Sequence, residues 1–298
     1  MTYFEFQQKF NTTEQVIAYY ISMRYPKGLT CNHCGGKQVY PRTAEPRQFD
    51  CEGCKNSFSI FKGTTFEKSS TDLRKWMYAF HLFLNGKKGI SGYQLQREIG
   101  VTYKTAWRML KQIRLAMGNG DTAMFEAIVE IDETYVGGKP RKANRREDDK
   151  KNKRGRGTKK TPVVGIVDRT TKQVFARVAL PNKAGKKLTG KQLLSIIDLA
   201  CSSDATVISD EFKSYGILDK ADSTRIHLRV NHAVGYSVNG VNTNSIESFW
   251  ATLKRGVYGI YHHVSVKYLQ NYVNEFSFRY NNRNTDIFNV LMARTIGA

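Results

Sequence analysis

The chain has 298 residues, 40% hydrophobic and 12% aromatic, enough for one sizeable core with one or two small satellites; collagen-like, coiled-coil and wholly disordered classes are excluded. Lysine and arginine number 47 against 26 acidic residues, and the formal charge of +21 points to a polyanionic partner, nucleic acid before a membrane surface. With no run of about 18 uncharged apolar residues and no secretory pattern in MTYFEFQQKF, a cytoplasmic, nucleoid-associated protein that makes no membrane contact is expected.

In chain order, residues 12–22 (TTEQVIAYYIS) place Val16, Ile17, Tyr20 and Ile21 at helical spacing behind a threonine, and Pro26 and Gly28 end that helix. Two knuckles follow, Cys31-Asn32-His33-Cys34 and Cys51-Glu52-Gly53-Cys54, separated by sixteen residues. Paired CxxC units at this separation suit one structural zinc held by four thiolates better than a disulfide framework; Cys201 is left over, and His33 is expected to be exposed. Gly35, Gly36, Pro41, Pro46 and Gly53 give the segment hairpin chemistry, and residues 1–65 are expected to form a helix plus a zinc ribbon.

From a Thr71 cap, Leu73, Trp76, Met77, Phe80, Phe83 and Leu84 fall on one helical face that stops at Asn85-Gly86. SGYQLQREIGV and TYKTAWRMLKQIRLAM then read as two helices around a tight turn at Gly100, with Ala106, Leu110, Ile113 and Met117 as the buried stripe of the second. Lys104, Arg108 and Lys111 share its other face. The pattern is that of a helix-turn-helix over 66–120 whose second helix can enter a major groove.

Beyond Gly118-Asn119-Gly120, the runs 127–132, 162–168, 174–180, 205–210 and 225–230 read as five strands, and 189–200 as a helix. Three strands in close succession, then helix, strand, helix, strand, helix, is the order of a ribonuclease-H-like α/β domain with a mixed sheet, expected over 121–298. Residues 139–160 carry twelve positive and three negative side chains, Arg145 and Arg146 among them; such a loop cannot pack and can clamp phosphates.

Asp132 and Asp210 each close a predicted strand, where a cleft can open. After a loop rich in glycine and asparagine, the helix SIESFWATLKRGV carries Glu247 and Lys254 two turns apart on one side, with Arg255 beside them. A capping box of Asn244 with Glu247 is the competing reading. Glu130 lies on Asp132's side of an ideal strand, whereas Glu133 and Glu211 are expected to point elsewhere. His232 can serve DNA or metal-bound water, or simply hold structure; His262 and His263 are expected to dock a helix, and Tyr268, Leu269, Tyr272, Val273, Phe276 and Tyr280 to face the core.

Asp132 in VEIDETYVGGK, Asp210 in ISDEFKSY and Glu247 in NTNSIESFWATLKRG, with Lys254 seven residues beyond Glu247, resemble the DDE(K) transposases of bacterial insertion sequences. The zinc knuckles and the tail GIYHHVSVKYLQNYVNEFSFRYNNR narrow the resemblance to the ISXO-like group with an N-terminal zinc ribbon. It implies two magnesium ions, with manganese as a substitute, held by Asp132 as the bridge and by Asp210 and Glu247, with Lys254 on a phosphate. Asn244 remains the alternative third ligand, since some relatives carry asparagine there. It also implies nicking at the element's ends by water, attack of the freed 3′-hydroxyl on target DNA, and at least a dimer on double-stranded DNA. A DNA-binding regulator on an inactive nuclease-like scaffold and a structure-selective nuclease are the rival readings.

Overall fold

A computed structural model describes residues 1–118, 124–137, 160–181, 188–220, 224–230 and 242–296. Arg145, Arg146, His232 and all of the basic stretch except Lys160 lie outside them.

Caps and turns written into the sequence start the N-terminal helices. Thr2 and Glu5 form a reciprocal capping box for α1 (Tyr3–Lys9), a helix the periodicity reading omits, and Thr12 and Gln15 do the same for α2 (Thr13–Arg24). The cysteine segment folds as three antiparallel strands, β1 (Val39–Pro41), β2 (Gln48–Cys51) and β3 (Ser57–Ser59), with Phe49 opposite Phe58 and both buried. The cap of α3 (Leu73–Asn85) is Asp72 rather than Thr71: its Oδ1 accepts from the backbone N–H of Arg74 at 2.7 Å and of Lys75 at 3.3 Å. Ser91 caps α4 (Gly92–Ile99); Gly100, at φ 60°, ends it in the left-handed conformation that glycine takes without strain. Thr102 then starts α5 (Tyr103–Gly118), whose predicted stripe of Ala106, Leu110, Ile113 and Met117 is buried.

The first compact unit comprises Met1–Asn119 and Asn284–Ala298, the second Gly120–Arg283. The cysteine segment, the helices after it and the last helix thus share one compact unit. Helix α9 (Ile287–Ile296) packs with α2, α3 and α5, setting Phe288 against Phe10 and donating from Arg294 to the carbonyl of Met117.

The second unit is built on a five-stranded mixed sheet of order β6-β5-β4-β7-β8. Strands β4 (Ile128–Val136), β5 (Thr161–Asp168) and β6 (Val174–Val178) are antiparallel neighbours; β7 (Thr206–Ser209) and β8 (Ile226–Arg229) continue the sheet in parallel. Every residue of β5 is buried, as expected of a strand covered on both faces. On one face Val129, Ile131, Val164, Ile166 and Val207 meet α6 (Gly190–Asp198) and Tyr215 from a 3-10 turn at Lys213–Ile217. On the other, Val163, Val167, Val174 and Ala176 meet α7 (Asn244–Gly256) and α8 (Val266–Asn281). Of the predicted core face of α8, Leu269, Val273 and Phe276 are buried and Tyr272 and Tyr280 pack against them, while Tyr268 lies outside that core beside Lys267. The Gln270 and Asn281 side chains accept from the outer N–H groups of Val178 and Val174, closing the free edge of β6. Among the described residues, no helix is long and apolar enough to cross a membrane.

Gly165 fixes how closely α7 approaches the sheet. A Cβ there would stand 2.6 Å from the Trp250 ring and 2.7 Å from Ile246 Cδ1. Gly165→Ala should therefore destabilise the second unit by about 1–3 kcal/mol or more, read as a lower thermal midpoint. An unchanged midpoint would mean that α7 does not rest on β5 here.

Candidate active site

Asp132 does not end its strand: β4 runs on to Val136, paired with β5 throughout, and Asp132 stands opposite Gly165. What ends near it is the pairing with β7, whose last matched residues are Glu130 and Ile208. In that register Asp132 is level with Asp210, which follows β7, so the two acids flank the place where parallel neighbours part. That is the usual opening for a ligand in a sheet of this kind.

Oxygens of Asp132, Glu133 and Asp210 lie within 4.8 Å of one another. The presence of Glu133 overturns the expectation that it points away. Alternation does persist, since Asp132 Oδ2 accepts from Trp250 Nε1 on the α7 face at 3.1 Å, while Glu133 Oε2 accepts from the Tyr215 hydroxyl on the opposite face at 3.0 Å. Both faces border one opening because β7 has ended. Burial, and then the negative charges of Glu133 and Asp210, push the Asp132 carboxyl from its ordinary 3.8 up to about 7. The Tyr215 hydroxyl, fully buried beside the same acids, is raised well above its usual value and stays a donor. Three confined carboxylates form a hard-oxygen set that a divalent cation would neutralise. Ligands around magnesium stand about 2.9 Å apart when adjacent and about 4.2 Å when opposite, so the cluster is within reach of such ions.

Glu247 is not part of that tight trio; it is exposed in the first turn of α7. Its position is nonetheless linked to Asp132, since Trp250, three residues on, is a neighbour on the helix surface. The capping box does not form. Thr243 is the cap residue, its hydroxyl donates to Glu247 Oε1 at 3.1 Å, and Asn244 is exposed at the first helical position. The backbone N–H groups of Ser245 and Ile246 donate instead to Glu130 Oε2, at 2.8 and 3.2 Å. Lys254 and Arg255 are exposed near the end of α7, and Arg255 also reaches the Thr252 hydroxyl.

A relay absent from the sequence reading supports the Asp210 backbone. Ser209, wholly buried, donates to the Asp210 carbonyl at 2.8 Å and shares a 2.9 Å hydrogen bond with His227 Nε2, while His227 Nδ1 lies 2.7 Å from Asp219 Oδ1. The His227 hydrogen bond holds the Asp219 carboxyl below its ordinary value. The strand pairing of β7 with β8 brings Ser209 and His227 together, and Asp219 joins them from the segment after the 3-10 turn, which is why no local motif marks them.

In the first unit, the Sγ atoms of Cys31, Cys34, Cys51 and Cys54 all lie within 4.8 Å of one another, with Cys31–Cys54 and Cys34–Cys51 each at 3.6 Å. A zinc tetrahedron with bonds of about 2.3 Å has sulfur–sulfur edges of about 3.8 Å, so this donor set fits. His33 is exposed, as expected, and Cys201 is buried. On α5, Lys104 is exposed, Lys111 lies over the Trp107 ring at 5.8 Å, and Arg108 donates to the hydroxyls of Ser69 and Thr71 at 3.3 and 3.2 Å. Part of the Arg108 guanidinium is thus committed to holding the segment before α3.

Residues 124–281 match the ISXO2-like transposase domain, and residues 11–57 the transposase zinc-ribbon domain. The chain is 32% identical over 252 residues to an uncharacterized protein in transposable element ISH50 of Halobacterium salinarum, an alignment spanning 79% of this chain and 82% of that one. It is also 31% identical over 90 residues to an uncharacterized transposase-like protein of Haemophilus influenzae, covering 30% of this chain and 71% of the relative.

Proposed function

Because the chain belongs to the ISXO2-like transposase family, we propose that it binds the terminal inverted repeats of an insertion sequence and carries out metal-dependent cleavage and transfer of DNA strands. The observation that carries this reading is the meeting of Asp132 and Asp210 where β4 and β7 part. The strand order β6-β5-β4-β7-β8, with helices on both faces, supports a ribonuclease-H-like catalytic unit.

In this reading Asp132 and Asp210 hold the metal ions, and Glu247 supplies the third carboxylate from the helix whose Trp250 already touches Asp132. Bound magnesium would activate the attacking oxygen and stabilise charge on the leaving one. The chain's own part is to aim these acids, to keep the Asp132 carboxylate turned into the opening through the Trp250 indole, and to place Lys254 for a scissile-strand phosphate. Tyr215 keeps Glu133 directed at the same opening, where it can join the metal site or accept a proton from water. In the first unit, four thiolates fold around zinc, and α4 and α5 act as a helix-turn-helix that presents Lys104, Arg108 and Lys111 to the end sequence, with the 139–160 stretch as a second phosphate contact. Pairing of two ends calls for at least a dimer on DNA.

The test is strand transfer of linear DNA carrying the terminal repeats, in magnesium or manganese. Glu247→Gln should lower joined product at least about a hundredfold while end binding in a gel-shift assay stays within about threefold, the loss of several kcal/mol expected on removing a metal ligand. Asn244→Ala should leave both unchanged. The reverse pattern would make Asn244 the third ligand, and cleavage without any joining would favour a nuclease.

A further inference from the structure

We infer that Glu130 and Arg169 are positioning residues for the metal site: a buried ion pair that sets where α7, and with it Glu247, stands along the strand that carries Asp132. The inference rests on Glu247 being a metal ligand, as proposed above.

Glu130 lies two residues before Asp132 on β4, on the same face of the strand, and is 1% exposed. A carboxylate so placed needs several donors, and it has them: Arg169 Nε at 2.8 Å and the backbone N–H groups of Ser245 and Ile246. Those two N–H groups belong to the first turn of α7, the end of a helix that favours negative charge. The helix's own cap residue leaves them to Glu130, since no side-chain cap bond forms and the Thr243 hydroxyl is directed at Glu247.

Arg169 closes the clamp from the other side. It follows β5, its backbone N–H donates to the Ile128 carbonyl of β4 at 2.9 Å, and its Nη2 donates to the carbonyl of Asn242 at 2.7 Å, just ahead of α7. Asn242, Ser245 and Ile246 are thereby tied to the strand bearing Asp132 through one ion pair. Apolar packing by Ile246, Phe249, Trp250 and Leu253 already holds the helix against the sheet. Buried ion pairs are weak contributors to net stability, and their best-attested gain is register. An α-helix rises about 1.5 Å per residue, so even a one-residue slip along its axis would carry Glu247 out of reach of a metal held by Asp132.

The full-length protein carrying Glu130→Gln, with Glu247→Gln as comparator, tests this. Two readouts are taken: Mn2+ binding, followed by the EPR signal of the free ion, and the Mn2+ dependence of strand transfer. Glu130→Gln should raise the Mn2+ concentration for half-maximal binding and transfer by roughly 10- to 100-fold, the usual cost of losing a group that orients a metal ligand, while transfer at saturating Mn2+ recovers to within about threefold. Glu247→Gln should weaken Mn2+ binding and not recover transfer at any concentration. A merely structural role would reduce the folded fraction and so the maximal rate, with the midpoint unmoved; that result overturns the inference. So does an unchanged Glu130→Gln beside a defective Glu247→Gln. If Glu247→Gln itself leaves Mn2+ binding intact, the underlying assignment of Glu247 falls first and the inference goes with it. Should Glu130→Gln not fold, Arg169→Gln, altered at the more exposed partner, must show the same raised midpoint or the inference fails.

Discussion

Asp132→Asn should abolish magnesium-dependent strand transfer, by at least about a thousandfold, and at the same time make the metal-free protein more stable at pH 8. The first effect follows from the proposed role of Asp132 as a metal ligand, since a metal site of that kind supplies several kcal/mol to the transition state. The second follows from the environment that raises the Asp132 carboxyl to about 7 from an unfolded value near 3.8. A carboxyl raised in the folded state contributes stability that is fully present below the unfolded pKa and is lost as pH rises through the folded one. In wild type without metal, that loss spans about pH 4 to 7 and amounts to as much as about 4 kcal/mol. Asparagine cannot ionise, so the variant should keep the low-pH stability at pH 8 and match wild type near pH 4. Added magnesium should raise the wild-type midpoint at pH 8 and leave the variant's nearly where it was. Coincident thermal curves of the two proteins at pH 8 without metal would mean that the three carboxylates are not confined together.

Removal of zinc should abolish sequence-specific end binding while the second unit continues to unfold at its wild-type midpoint. The cysteine segment has three strands of three or four residues each and only small apolar contacts of its own, so metal affinity there is folding free energy. Among the ligands, the Asn56 N–H and then the neighbouring thiols bring Cys54 down to about 7, whereas Cys34, despite the Gly36 N–H that lowers it, is pushed up to about 11 by its hydrogen bonds with the other thiols. Zinc binding displaces the thiol protons, so zinc retention should weaken as pH falls. Metal content, gel-shift binding and circular dichroism before and after chelation decide the matter. Full end binding after verified loss of zinc would remove the ribbon from end recognition.

Much of this was legible from residues alone because local chemistry wrote it. CxxC spacing gave the thiolate cluster, β-branched runs gave the strands of the sheet, and Asp132 and Asp210 could be paired because both follow such runs. The capping box of Thr2 and Glu5 was equally local, and a cap-first reading would have found α1. Other features depend on which strand lies beside which. Glu133 joins Asp132 only because β7 stops short, Ser209 meets His227 only through the β7–β8 pairing, and Glu130 caps a helix more than a hundred residues away. An alternation rule knows the faces of one strand but not where its neighbour ends. Nor does the amphipathic pattern of α9 say which core it will join.

The return of that last helix has a consequence for how the chain is made. The sheet and its helices lie wholly between residues 120 and 283, so every part of them has left the ribosome before α9 does. The unit built on the cysteines and the first five helices is different: Leu291, Met292 and Phe288 complete its interior, and the carbonyl of Thr295 receives the N–H of Thr65. Its interior stays incomplete until α9 has emerged. A nascent or prematurely terminated chain can thus acquire its acidic cluster while its other half is still unsealed.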